Sequence, residues 1–233
     1  MREIIDINKW NRKLAYNTFF NYDDPYTGVV TTLNVTNLVN TCDKIKCSFY
    51  GAMVYMIMHF MNNIDAYKYG FATINDALFV CKYSDLAATM TVIDQNNELH
   101  FTRYVKYNDD FDKFIIEFKK ATDDAEKGIE YYKIDGLNEC NKLYITCMPW
   151  IKFTNFKDAL NLKEKNSKPR ICWDKFEQID GNYYINFSIL VNHAFQDGYH
   201  IGLFINNVQY NIDNFIIKEE KRNIQYAKRK KVY

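Results

Sequence analysis

Apolar and polar positions alternate from Ile185 onward, so that Ile185, Phe187, Ile189 and Val191 share one face of an extended segment. His193 is next in that series, where the strand runs out. Residues 183–192 are rich in β-branched and aromatic types, which predicts a strand. Asp197-Gly198 marks a turn. Ile201, Phe204, Ile205 and Val208 then recur at helical spacing. The unit reads as strand, loop carrying His193 and Asp197, helix. The end of a strand combines a rigid scaffold with an accessible tip, which suits chemistry.

The same patterning predicts strands over 29–35, 77–81 and 87–92. Residues 50–63 read as a Met-rich helix, apolar all round and therefore core. Residues 109–127 read as an amphipathic helix with Phe111, Phe114, Ile115 and Phe118 inward. The polar lead Asp6-Ile7-Asn8 before Trp10 predicts a helix start near Asn8. Residues 17–26, with Asp23-Asp24-Pro25, and the charged stretch 161–168 read as loops.

The 233 residues, 48% of them hydrophobic, suffice for one domain with a sizeable core, expected over 1–217. A charged tail follows at 218–233; it ends basic, which fits either a solvated terminus or a nucleic-acid contact, and the solvated terminus is expected. The net charge of +1 gives no overall bias towards nucleic acid or membrane, and neither partner is expected. The apolar run at about residues 49–61 is too short to span a bilayer. The six cysteines include no Cys-x-x-Cys, so no metal site is expected. No apolar leader stands at the start, so free thiols and a cytoplasmic location are expected. The 19 Tyr and 17 Phe fit an aromatic pocket and fit an AT-rich coding sequence equally well.

His is the side chain whose ordinary pKa lies near neutrality, so His193 is a candidate general base, a role worth roughly 10²–10⁴ in rate. A satisfied core histidine fits the same position, and the local pattern leaves both open. The segment Asn192-His193-Ala194-Phe195-Gln196-Asp197-Gly198-Tyr199-His200 resembles the His-His-Ala-x-x-Asp-Gly-(Phe/Tyr)-His signature of the chloramphenicol acetyltransferase family, with Asn192 at the first His. Thr146-x-x-Pro149-Trp150 resembles that family's Ser-x-x-Pro-Trp, and Trp10-x-Arg12 its N-terminal Trp-x-Arg. The three motifs come in the family's order, and the likeness runs from Ile5 to Gln209.

The resemblance implies an α/β fold, a two-layer sandwich with a mixed β-sheet. It also implies a homotrimer with active sites between subunits, His193 facing the neighbour's pocket. The implied activity is chloramphenicol O-acetylation, the chemistry of antibiotic resistance, with acetyl-CoA as co-substrate and no permanently bound cofactor. Catalytic residues carried over are His193 as base, Thr146 as oxyanion donor, and Arg12 and Asp197 as a pair holding the loop. Phe19, Phe101, Phe156 and Cys172 would bind the acceptor; Lys175 and Phe176 would bind the co-substrate. The chain departs from the family at Pro25, Thr27, Ser48 (where a Lys contacts coenzyme A), Asp158, Cys172, Asn192 and Gln196. These departures keep two alternatives open: a same-fold acetyltransferase with another hydroxyl acceptor, and a non-catalytic homologue.

Overall fold

A computed structural model describes residues 1–94, 99–127 and 141–215. In chain order the elements are β1 (Arg2–Ile4), α1 (Lys13–Phe19), β2 (Tyr26–Asn34), α2 (Thr36–Ile45), α3 (Phe49–Asn63), a 3-10 turn (Asp65–Lys68), β3 (Tyr69–Ile74), β4 (Ala77–Tyr83), β5 (Ala87–Asp94), β6 (Leu99–Lys106), α4 (Phe111–Glu126), β7 (Lys142–Met148), β8 (Arg170–Asp174), β9 (Glu177–Ile179), β10 (Asn182–Asn192) and α5 (Gly198–Asp213). The charged tail lies outside the described residues.

The larger sheet runs in the order β2-β10-β8-β7-β5-β6, with β9 hairpinned onto β10. The pairs β5–β7 and β7–β8 are parallel and the others antiparallel, so the sheet is mixed. The β9–β10 connection is Asp180-Gly181 with φ of 48° and 81°, the two-residue turn whose twist matches paired strands. A second sheet, β1-β4-β3, was not apparent from the alternation of the sequence.

Helices α2 to α5 cover one face of the larger sheet. Ile185, Phe187, Ile189 and Val191 of β10, all 0% exposed, meet Leu38, Met53, Ile57, Phe114, Phe204 and Val208 there. α4 packs closely on Gly51 of α3, where a Cβ would lie 3.0 Å from the Phe118 ring. Residues of opposite parity, among them Thr91, Thr146, Cys172 and Ser188, point to the other face; Thr146, Cys172 and Ser188 are successive register partners.

The helix start differs from the sequence expectation. Residues 7–9 and 11–12 form turns and α1 begins at Lys13. Tertiary contact overrides local propensity here, because Trp10 packs against Tyr69 and Phe195 at ring distances of 5.1 and 6.0 Å. That docking pulls the N-terminal segment onto the loop after β10. The expected loop at 17–26 is shorter for the same reason, as α1 runs to Phe19 and β2 starts at Tyr26.

Candidate active site

Three observations fix the loop after β10. Trp10, Phe71, Val80, Ala194 and Phe195 form a small apolar cluster of their own. Arg12 reaches across from the docked segment: its Nη1 donates to Asp197 Oδ2 at 3.0 Å and its Nη2 to the His193 carbonyl at 3.4 Å. Asp197 also caps α5, its Oδ1 accepting from Tyr199 N at 3.1 Å and lying 2.8 Å from His200 Nδ1. Burial alone would push the Asp197 carboxyl up; the hydrogen bonds from Arg12 and His200 outweigh it and hold it at about 2.

His193 is clamped between these contacts. Its N–H donates to the Pro25 carbonyl at 2.8 Å, and its ring stacks on Phe19 with centroids 3.9 Å apart and planes 13° apart. Nδ1 is buried with no hydrogen-bond partner among the described residues. The two departures in the motif have structural partners. Asn192 Nδ2 donates to the Asn166 carbonyl at 2.8 Å while its Oδ1 accepts from Ala194 N; buried Gln196 donates to the Ala66 carbonyl at 2.7 Å.

Thr146, Lys175 and Phe176 belong to another place. They line a cavity of about 1440 Å³ bounded by the start of α3, by α4 and by the ends of β5 to β8. Thr146 Oγ1 lies 3.5 Å from Thr91 Oγ1. Trp150, 64% exposed, and the half-buried Phe49 add apolar wall; Lys46, Lys119 and Lys175 add positive charge. Ser48 lines the same cavity and caps α3, accepting from Gly51 N at 3.2 Å.

His193 does not border this cavity. Thr146 sits two strands from Ser188, a lateral step of roughly 9.6 Å, and His193 is five residues beyond Ser188 along β10, roughly 16 Å more. The two Cα atoms of one chain are therefore roughly 19 Å apart. Phe101 and Phe156 lie on neither group, and Cys172, the register partner of Thr146, does not line the cavity. Phe101 pairs with Val92 on the sheet edge, Phe156 is half-buried with its ring 5.5 Å from Phe153, and Cys172 is fully buried, its thiol pushed up to about 12 chiefly by that burial.

Three charged residues were not singled out by sequence reasoning. Arg103, 3% exposed, forms part of the cavity wall, its guanidinium 4.2 Å from the Phe118 ring and 4.7 Å from the Tyr50 ring. Its inward parity beside Val105 was the available signal. Asp174, 1% exposed, accepts from Lys152 Nζ, Phe153 N, Asn186 N and Asn186 Nδ2, pinning the segment after Trp150 to β8. Arg170 pairs with Asp158 at 3.0 Å on the face that carries Thr146. Among the described residues no cluster of His, Cys, Asp or Glu could hold a metal ion, and no helix is long and apolar enough to cross a membrane.

The fold is that of acyltransferases. A solved chloramphenicol acetyltransferase superposes with a TM-score of 0.81 at 22% identity, covering 91% of this chain and all of that one. A probable dihydrolipoamide acetyltransferase from Listeria monocytogenes superposes with a TM-score of 0.61 at 12% identity over 93% of this chain and 96% of its own. In sequence, a chloramphenicol acetyltransferase of Haemophilus influenzae is 24% identical over 212 residues, 91% of this chain and 97% of the relative. Residues 2–209 match the chloramphenicol acetyltransferase family model, and the chain belongs to that family. It is an acetyltransferase by class.

Proposed function

We propose that the chain transfers acetyl from acetyl-CoA to the hydroxyl of chloramphenicol, in sites formed between copies of the chain in a homotrimer. The observation that carries this is the clamp on His193. Arg12, Asp197 and Phe19 hold His193 at a rigid strand end, with Nδ1 buried. His193 Nε2 takes the proton from the acceptor hydroxyl. The oxygen attacks the thioester carbonyl, and the Thr146 hydroxyl of a neighbouring copy donates to the developing oxyanion. Collapse of the tetrahedral intermediate expels coenzyme A as thiolate, which recovers the proton from His193. Lys175 and Phe176, on the same cavity as Thr146, hold the acyl donor. Separate copies are needed because the Cα atoms of His193 and Thr146 in one chain are roughly 19 Å apart, farther than the two side chains can close, whereas reacting atoms must approach to about 3–3.5 Å.

A second reading concerns the acceptor. Tyr144 and Arg170 are register partners on the Thr146 face, with Arg170 about 8 Å from Thr146 by strand geometry. The Arg170 guanidinium and Lys168 Nζ lie 4.6 and 5.2 Å from the Tyr144 ring centre, and Asp158 balances one of the two charges. The phenol of Tyr26 contacts Arg170; burial raises it to about 12, so it stays neutral. These two charges would favour a hydroxyl compound bearing an anionic group as acceptor.

The test is thiol release from acetyl-CoA by the purified chain and by His193→Ala, with chloramphenicol and with hydroxy acids as acceptors. Chloramphenicol-dependent release that vanishes in the variant is the expected result. Release with a hydroxy acid alone favours the second reading. Absence of release with every acceptor, despite binding of acetyl-CoA, would mean a homologue that has lost catalysis.

A further inference from the structure

Cys42 and Cys47 are brought together by the junction of α2 and α3. Lys46, with φ of 56°, ends α2 in the left-handed conformation, and the backbone N–H groups of Lys46 and Cys47 both donate to the Cys42 carbonyl, the latter at 3.1 Å. With standard bond lengths that hydrogen bond limits the separation of the two Cα atoms to about 7 Å. The bends at nitrogen and oxygen shorten it into the 4.4–6.8 Å that a disulfide spans.

They are not equivalent. Cys42 is 2% exposed, while Cys47 is partly exposed and lines the cavity of about 1440 Å³. Cys47 also directly precedes Ser48, the N-cap of the 15-residue α3, where unpaired N–H groups favour an anion. The neighbouring Cys42 lowers the Cys47 thiol; Cys47, with burial, raises that of Cys42. The other described cysteines lack this arrangement: Cys81 and Cys172 are fully buried, and burial pushes Cys147 up to about 12.

We propose that Cys47 is a thiol-modification site on the cavity wall, reactive towards low-molecular-weight disulfides, with Cys42 as its resolving thiol. The Cys47 thiolate attacks one sulfur of the disulfide, forming a mixed disulfide and expelling the other half as thiolate. Cys42 then attacks the Cys47 sulfur, giving its proton to solvent, and expels the second half. The small disulfide is reduced to two thiols, and the protein dithiol is oxidised to the Cys42–Cys47 bond.

The probe is the aromatic disulfide dithionitrobenzoate, applied to the full chain in a Cys140→Ser background, since Cys140 lies outside the described residues. The expected result is a fast release of two equivalents of chromophore, with no retained adduct and a protein lighter by two hydrogens. Cys42→Ser should release one equivalent and keep the adduct on Cys47. Cys47→Ser should slow the first release by ~10-fold or more, because it removes the cavity-facing thiol. Cys42→Ala repeats the Cys42 test, with thermal melts showing that each variant is folded. Adduct mapped first to Cys147, or an adduct kept by the chain with both cysteines intact, would overturn the proposal.

Discussion

If His193 and Thr146 act on one acetyl group from different chains, two inactive variants should restore each other. The roughly 19 Å between the two residues within one chain, from two strand spacings and five residues of rise, exceeds what one thioester and one attacking hydroxyl can bridge. His193→Ala keeps Thr146, and Thr146→Ala keeps His193. When equal amounts are unfolded together and reassembled, each site draws its His and its Thr from independently chosen chains. About one site in four then has both, whatever the size of the closed ring. The assay is acetyl-CoA-dependent thiol release, with each variant taken alone through the same procedure. The mixture should reach ~25% of the reassembled wild-type rate, while each parent stays below it by the loss of a base, ~10²–10⁴, or of an oxyanion donor, ~10²–10³. A mixture no more active than the better parent, with reassembly shown by size, would refute the division of the site between chains.

Thr146→Ser keeps the hydroxyl and should retain most of the turnover that Thr146→Ala loses, as kcat measurements would show. Asp197 has a folded-state pKa depressed from the ordinary 3.8 to about 2. Its stabilising contribution is therefore full above about pH 4 and lost as the pH falls towards 2, and denaturation midpoints of Asp197→Asn should lack that part of the acid limb. Asp174→Ala should cost about 3 kcal/mol in urea unfolding, because it strands Lys152 and three further donors at a buried site. Phe187→Ala, at a fully buried position, should cost about 3–5 kcal/mol in the same assay.

What local sequence determines is visible wherever one segment carries its own instructions. The alternation in β10, the all-apolar α3 and the amphipathic α4 needed no partner to be recognised, since burial of one face imposes the period that the residues display. The order of the motifs around Trp10, Thr146 and His193 was likewise readable. The strands β1, β3 and β9 were not anticipated, and β6 and β7 were not read as strands. β1 and β9, three residues each, are too short to show a period.

Tertiary structure alone decided the rest. Local signals started a helix near Asn8, yet the contact of Trp10 with Phe195 moves it to Lys13. The strand order sets how far Thr146 stands from His193 within one chain. Likewise, only the fold shows that Asp174 is a buried anchor and that Arg170 stands beside Thr146. The pairing of distant strands has no period within any one segment; it emerges when whole faces are buried against each other, and that is where the position of each charged group is settled.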